Sequence, residues 1–389
     1  MSTHRTVPQT AAAHRPVPAA LDDAYAAPYQ GGDPYADYRG GEFSFSRLTD
    51  LADRRLGAGV VGAADESFAE RERLLTRAPA VFDVHAYGHK GKTMDGWETR
   101  RRRGTGADDP FPADADHDWA LVRLGAPGII RGIVVDTAHF RGNFPQQVSI
   151  AAAAFEGTPS VAELLAAEDA WEEIVPRTPV RGHAANGFTV DSGRRYTHVR
   201  VNQHPDGGIA RLRVHGEVLP DPGWLALLGG FDVACVANGG SVTDASDGFY
   251  SSPANTIMPG LSHQQDDGWE TRRRRDKGND WIEYRLAAQS EIRAVEVDTA
   301  YLKGNAAGWV SLSVREHADA EWTQVLPRTA LEPDTLHRFP LAAPATATHA
   351  RLDVYPDGGL ARLRLHGGLT PAGTAELTDR TRRAVRQAG

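Results

Sequence analysis

The chain has 389 residues, enough for two or three domains, since single cores rarely grow past roughly 250–300 residues. Hydrophobic residues make up 41% and charged residues 24%, and the formal charge of −8 argues against a general polyanion binder, although clustered basic residues leave room for a local anion site. Cys235 is the single cysteine, which excludes an internal disulfide and a cysteine metal cage, and no apolar run reads as a signal peptide or a bilayer span. A cytoplasmic chain with no membrane and no nucleic-acid partner is therefore expected.

Residues 1–41 are rich in Ala, Pro, Gly and Tyr without apolar periodicity, and Pro8, Pro16, Pro18, Pro28 and Pro34 break regular elements, so a disordered leader is expected there. The spacing of Leu48, Leu51 and Leu56 predicts a short helix over Ser46–Leu56. Beyond it, an internal repeat dominates. Asp-Gly-Trp-Glu-Thr-Arg-Arg-Arg-Arg occurs at Asp95–Arg103 and, letter for letter, at Asp267–Arg275. Asp118-Trp119 and Asp280-Trp281 follow, then Val135–Ala138 with Gly142-Asn143, matched by Val297–Ala300 with Gly304-Asn305. Pro-Arg-Thr recurs at Pro176–Thr178 and Pro327–Thr329, and each half closes on Pro-Asp-Gly-Gly, Ala-Arg-Leu-Arg and His-Gly, at Pro205–Gly216 and Pro356–Gly367. Ordered blocks of this kind mean a duplicated domain, with expected bounds of 42–220 and 221–370 and a charged tail over 371–389. The first copy carries a loop insertion between Arg103 and Asp118 and a short predicted helix within Val161–Ala170. Short β-type runs bounded by Gly, Pro and Asp predict an all-β fold, a sandwich or jelly roll in each half, and the tail after Pro371 reads as helical.

Three constellations could carry chemistry. If Trp97–Arg103 is a strand, Glu98, Arg100 and Arg102 share a face; the second copy offers Glu270, Arg272 and Arg274. A carboxyl among guanidiniums can move protons while the arginines hold a substrate carboxylate, and the competing reading is a solvated, salt-bridged strand face. Arg211, Arg213 and His215, repeated as Arg362, Arg364 and His366, alternate along a strand and could form a carboxylate clamp or simply an exposed polar face. Asp136, His139 and Asn143, matched by Asp298, Tyr301 and Asn305, end apolar strands in Gly-Asn loops, where function and turn-capping are equally served. No cofactor is expected; His85 and His89 give only weak spacing for a divalent metal, which stays open.

Together these strings resemble the allantoicase family, as do Leu51–Gly57 and Ala64–Ala69, and the resemblance runs from about Glu42 to Gly368. It implies tandem galactose-binding-like jelly rolls, often in a homo-oligomer, and hydrolysis of allantoate to ureidoglycolate and urea. For that reaction the residues themselves suggest Glu98 or Glu270 for proton transfer, with Asp136, Asp298 and His139 as further catalytic candidates and the arginines, histidines and asparagines of the three constellations anchoring substrate. A non-catalytic tandem binder of sugars or anions and an enzyme acting on ureidoglycolate are the competing readings.

Overall fold

A computed structural model describes residues 43–386 and the backbone of Pro18–Ala19. The expected leader therefore lies almost wholly outside the described residues. Its one described pair, Pro18–Ala19, lies antiparallel to Gly187 and Phe188, so prolines do not exclude every regular element there.

Each half is a sandwich of antiparallel strands in which one long strand serves both sheets. The first half contains β1 (Gly59–Ala63), β2 (Asp118–Asp136), β3 (Gln147–Ala153), β4 (Glu172–Pro179), β5 (Ala185–Thr189), β6 (Arg195–His204) and β7 (Arg211–Val218). The Asp118–Arg123 part of β2 lies between β1 and β6, and its Gly132–Asp136 part lies between β5 and β7. Gly125 and Pro127 sit at the change of sheet, where a proline removes a ladder donor and breaks the register. β3 and β4 extend the first sheet beyond β6.

The second half repeats this plan with β8 (Ser241–Ala245), β9 (Asp280–Asp298), β10 (Trp309–Arg315), β11 (Thr323–Ala330), β12 (Leu336–Tyr355) and β13 (Arg362–Leu369). Here β12 runs through the positions of both β5 and β6, pairing with each part of β9 in turn. The expected tandem all-β jelly rolls are thus present.

Helices are peripheral. α1 (Val161–Ala166) starts on a Ser160–Glu163 capping box, α2 (Pro222–Leu228) lies in the connection, and α3 (Pro371–Arg386) buries Leu377 and Ala384 beside Leu219 and Leu225. The helix expected over Ser46–Leu56 is absent. Short 3-10 turns at Ser44–Arg47 and Arg54–Leu56 flank a two-residue strand instead. The carboxylates of Asp50 and Asp53 take the N–H groups of Ala52 and Arg55, a local bonding pattern that competes with a helix. Among the described residues, no helix is long and apolar enough to cross a membrane.

The repeated nine-residue string is pinned to this frame mainly by its structural letters. Trp97 and Trp269 are fully buried, and each indole N–H donates over 2.8 Å to a backbone oxygen, of Asp65 and Asp247. Gly96 passes so close to β7's approach that a Cβ would lie 2.6 Å from the Ile209 oxygen; Gly268 faces the Leu360 oxygen at the same distance. Thr99 and Thr271 accept the N–H of Gly207 and Gly358, at the positive-φ turns preceding β7 and β13.

The leading Asp of each string meets a buried arginine. Arg211 bonds Asp95 over 2.8 Å, and Arg362 bonds Asp267 over 3.0 Å with both side chains almost fully buried. Burial works to raise the Asp267 carboxyl, but Arg362 and Arg55 win and hold it below its ordinary range. Arg362→Ala is expected to cost about 3 kcal/mol, because it removes a buried partner of Asp267, which keeps Arg55 and Arg77, and leaves backbone oxygens among Gly260, Leu261, Asp267 and Ala361 short of a donor. Urea unfolding monitored by tryptophan fluorescence measures this; a loss below about 1 kcal/mol would contradict it.

Candidate active site

The expected strand over Trp97–Arg103 ends at Glu98, where Trp97–Glu98 pairs with Gly208–Ile209. Strict alternation along the arginine run therefore does not apply. Glu98 is half-buried, and its Oε1 accepts a 2.8 Å hydrogen bond from Asn143 Nδ2. The Asn143 backbone oxygen takes the Gly208 N–H at 2.7 Å, so one loop residue fixes both the carboxyl and the strand beside it. Gly208 is required there, since a Cβ would fall 2.0 Å from the Phe140 ring. Burial pushes the Glu98 carboxyl above its ordinary value, against the lowering pull of Asn143 and then of the Arg101 guanidinium.

The second copy keeps the backbone and loses the contact. The Asn305 oxygen takes the Gly359 N–H at 2.8 Å, as in the first half. Yet among the described residues no hydrogen bond joins Asn305 to Glu270, whose carboxylate instead accepts from Gln265 Nε2 over 2.7 Å.

The other expected residues separate clearly. Arg211, Arg213 and His215 do not form an exposed clamp, because β7 is covered on both faces and all three are buried. Arg211 donates to the oxygens of Ala78, Arg73, Asp95 and Ala210 as well as to Asp95's carboxylate, and Arg213 donates to Thr76 and Arg77 oxygens. His215 Nδ1 lies 3.0 Å from the Leu48 oxygen. In β13, Arg362 donates to the oxygens of Gly260, Leu261, Asp267 and Ala361, Arg364 reaches Asp232 and Gly260, and His366 faces Glu296 at 3.3 Å.

Arg102 and Arg274 are likewise occupied, on the carboxylates of Asp118 and Asp280. Arg100 and Arg272 reach into solvent and pair loosely or locally, at 3.4 Å with Asp65 and 2.7 Å with Asp247. Asp136 and Asp298 are buried and cap their turns, accepting the Ala138 and Ala300 N–H groups at 2.7 and 2.8 Å. His139 adopts positive φ, stacks on Phe82 at 5.6 Å and sets its Nε2 3.0 Å from the Ala80 oxygen; among the described residues no hydrogen bond joins it to Glu98. Its counterpart Tyr301 is about half exposed.

Comparison with known proteins settles the family. A model of the allantoicase repeat matches residues 49–219 and again 231–370. The chain belongs to the allantoicase family. It is 64% identical to a probable allantoicase of Streptomyces avermitilis over 95% of this chain and 98% of that one. The allantoicase of Dictyostelium discoideum is 37% identical, covering 83% of this chain and 88% of its own length. The crystal structure of allantoicase from Saccharomyces cerevisiae superposes with a TM-score of 0.70 at 30% identity, covering 82% of this chain and 93% of the other.

Within this allantoicase-family chain, the sequence reading missed Arg101. It sits on the face that alternation assigned away from Glu98, yet it is the cation that acts on that carboxyl. The early end of the strand hid it. Among the described residues, no group of three or more His, Cys, Asp or Glu side chains is placed to hold a metal ion.

Asn143 lowers the Glu98 carboxyl, so Asn143→Ala is expected to move its titration to higher pH. Carboxyl-stretch infrared titration of the variant against Glu98→Gln isolates this group; a shift downward, or none, would contradict the pairing.

Proposed function

We infer that this chain hydrolyses allantoate to ureidoglycolate and urea, and that the first repeat carries the chemistry. The activity rests on the family relationship over nearly the whole chain. Its placement rests on one observation: of the two repeated glutamates, only Glu98 is held by its loop asparagine among the described residues, and burial raises its carboxyl.

The reaction replaces one C–N bond with a C–O bond. In the proposed course, protonated Glu98 donates its proton to the leaving ureido nitrogen as that nitrogen's bond to the central carbon breaks. The lone pair of the remaining ureido nitrogen fills in, giving an iminium, and urea departs. Water then adds to the same carbon, and the Glu98 carboxylate takes its proton, restoring the acid for the next turn. A raised carboxyl suits this role because it keeps more of the protonated form available near neutrality. Arg101 would steady the carboxylate formed at the midpoint, and the exposed Arg100 and Arg103 supply cationic ground for the substrate's own carboxylate.

The proposed course uses no metal or other cofactor, and a divalent ion remains an outcome of the test below. A cytoplasmic location and a homo-oligomer belong to the same reading, supported by the single buried Cys235 and by the exposed Trp224 and Leu227 on α2.

Urea release from allantoate tests the assignment. Glu98→Gln is expected to lower kcat by about 10²–10⁴-fold and Glu270→Gln by less than about threefold. Glu98→Gln should also keep or gain stability at pH 7. A raised folded carboxyl means the native state loses stability as pH rises through that value, and glutamine removes this cost while still accepting from Asn143. Equal losses in both variants would place the acid elsewhere. Dialysis against a chelator is expected to leave turnover unchanged, and restoration of lost turnover by a divalent ion would overturn the metal-free reading.

A further inference from the structure

A cavity of about 500 Å³ opens between the repeats, and neither Glu98 nor Asn143 lines it. Its size falls in the range that holds small organic ligands, roughly 300–1,000 Å³. The first repeat lines it with Arg54, Arg55, Arg73 and Arg77 together with Asp53 and Glu72; the second contributes His263, Gln264 and Asp267.

The arginines are products of divergence between the halves. Asp50 and Asp232 make equivalent bonds to Val214 and Leu365, and the oxygens of Ala78 and Gly260 receive Arg211 and Arg362 alike. Counting from these anchors, Arg54, Arg55, Arg73 and Arg77 correspond to Val236, Ala237, Asn255 and Pro259. The duplicated fold is built without them, so folding alone does not require four guanidiniums at this seam.

Their hydrogen bonds are unequally filled. Arg55 spends four of its five N–H groups on Asp53, Asn255 and Asp267 and acts as a strut across the seam. Arg77 gives one hydrogen bond, at 2.9 Å to Asp267, and Arg73 one, at 3.3 Å to Asp95. Arg54 bonds Glu72 alone, at 3.1 Å, with both side chains about half exposed. Each guanidinium has five N–H donors, so Arg54, Arg73 and Arg77, all of which line the cavity, keep unfilled donors. Glu72 from the first repeat and the Gln264 amide oxygen from the second add acceptors.

We propose that this inter-repeat cavity is a second binding site, for a small carboxylate that also bears a ureido group. Arg73 and Arg77 take the carboxylate, while Glu72 and Gln264 receive the ureido N–H groups and Arg54 the ureido oxygen. A simple polyanion is a poorer fit, because Asp53, Glu72 and Asp267 offset most of the positive charge. The lining sets the ligand's chemistry; its kinship with substrate and product rests on the activity inferred above. Since the walls come from different repeats, the bound ligand ties the halves together.

N-carbamoylglycine carries one carboxylate and one ureido group without the bond that is cleaved, which makes it a suitable probe. Calorimetry on the full chain compares wild type, Glu98→Gln, and the double variant Arg54→Gln/Arg73→Gln. Wild type and Glu98→Gln are expected to share a binding event that weakens about tenfold or more in the double variant, as loss of charge-assisted bonds predicts. Acetate and urea, each bearing half of the probe, should bind at least about tenfold more weakly, and kcat for urea release in the double variant should stay within about twofold of wild type. Unchanged probe affinity in a folded double variant would overturn the site, as would equal binding of acetate. Should the double variant itself unfold, the exposed single change Arg54→Gln gives the same reading. Failure of the wild type to cleave allantoate, with the probe result intact, would sink the activity and leave the cavity assignment standing.

Discussion

A buried guanidinium beneath the repeated string sets the geometry of each half. Arg211 and Arg362 rise from β7 and β13 into the seam where the leading aspartate, the 3-10 turn and the following loop converge. One planar group with five donors gathers several backbone oxygens and one carboxylate, and a shorter or neutral side chain cannot satisfy them all. With aspartate fixed, the next residue must be glycine to pass the neighbouring strand, and the tryptophan after it enters the core. Glu98 and Glu270 follow directly, so their backbone positions are inherited from an ion pair three residues upstream. Such a pair contributes less to net stability than to uniqueness of arrangement, because desolvation offsets much of its attraction.

Duplication preserved these constraints and released others. Both asparagine oxygens still receive a glycine N–H, both strand-end aspartates still cap a Thr-Ala turn, and both third arginines of the run still bind the aspartate opening the long strand. Side-chain pairing beyond the backbone is where the copies part. His139 rests against His183, whereas Tyr301 meets Asp334; Asn143 reaches Glu98, whereas Gln265 reaches Glu270. Asp267 has also acquired Arg55 and Arg77 from the opposite repeat, turning a fold-stabilising carboxylate into the junction between halves. The proposed placement of the acid in the first repeat draws on this asymmetry.

The duplication and the all-β class were legible in the letters, because exact recurrence survives without coordinates; Glu98 and Asn143 were each singled out, but in separate constellations, and only the structure joins them. The clamp of Arg211, Arg213 and His215 was misjudged for a definite reason. Alternation of basic and apolar residues signals a half-exposed strand only when one face meets water, and here the first-repeat turn over Arg71–Leu75 and its continuation cover that face. Arg101 was overlooked because a strand that stops after two residues cannot be distinguished by composition from one that continues through five arginine-compatible positions. The seam cavity was illegible altogether. Residues 18 to 23 apart on one repeat meet residues some two hundred positions away, and no local pattern encodes that meeting.

Placing the acid at Glu98 resolves a tension in the arginine run. A proton donor for a poor nitrogen leaving group must hold its proton near neutrality, yet a run of guanidiniums works to ionise it. Burial raises Glu98, and two of the four arginines leave its surroundings: Arg102 is tied to Asp118, and Arg100 leans toward Asp65 in solvent. Arg101 then acts with Asn143 as a moderate counterweight instead of one member of a cationic wall. The same moderation favours turnover in the second half of the cycle, when the carboxylate must exist long enough to accept the proton of water. A fully isolated carboxyl would donate too reluctantly, and one wrapped in guanidiniums would never be protonated. The structural arginines therefore serve the proposed chemistry chiefly by being bound elsewhere.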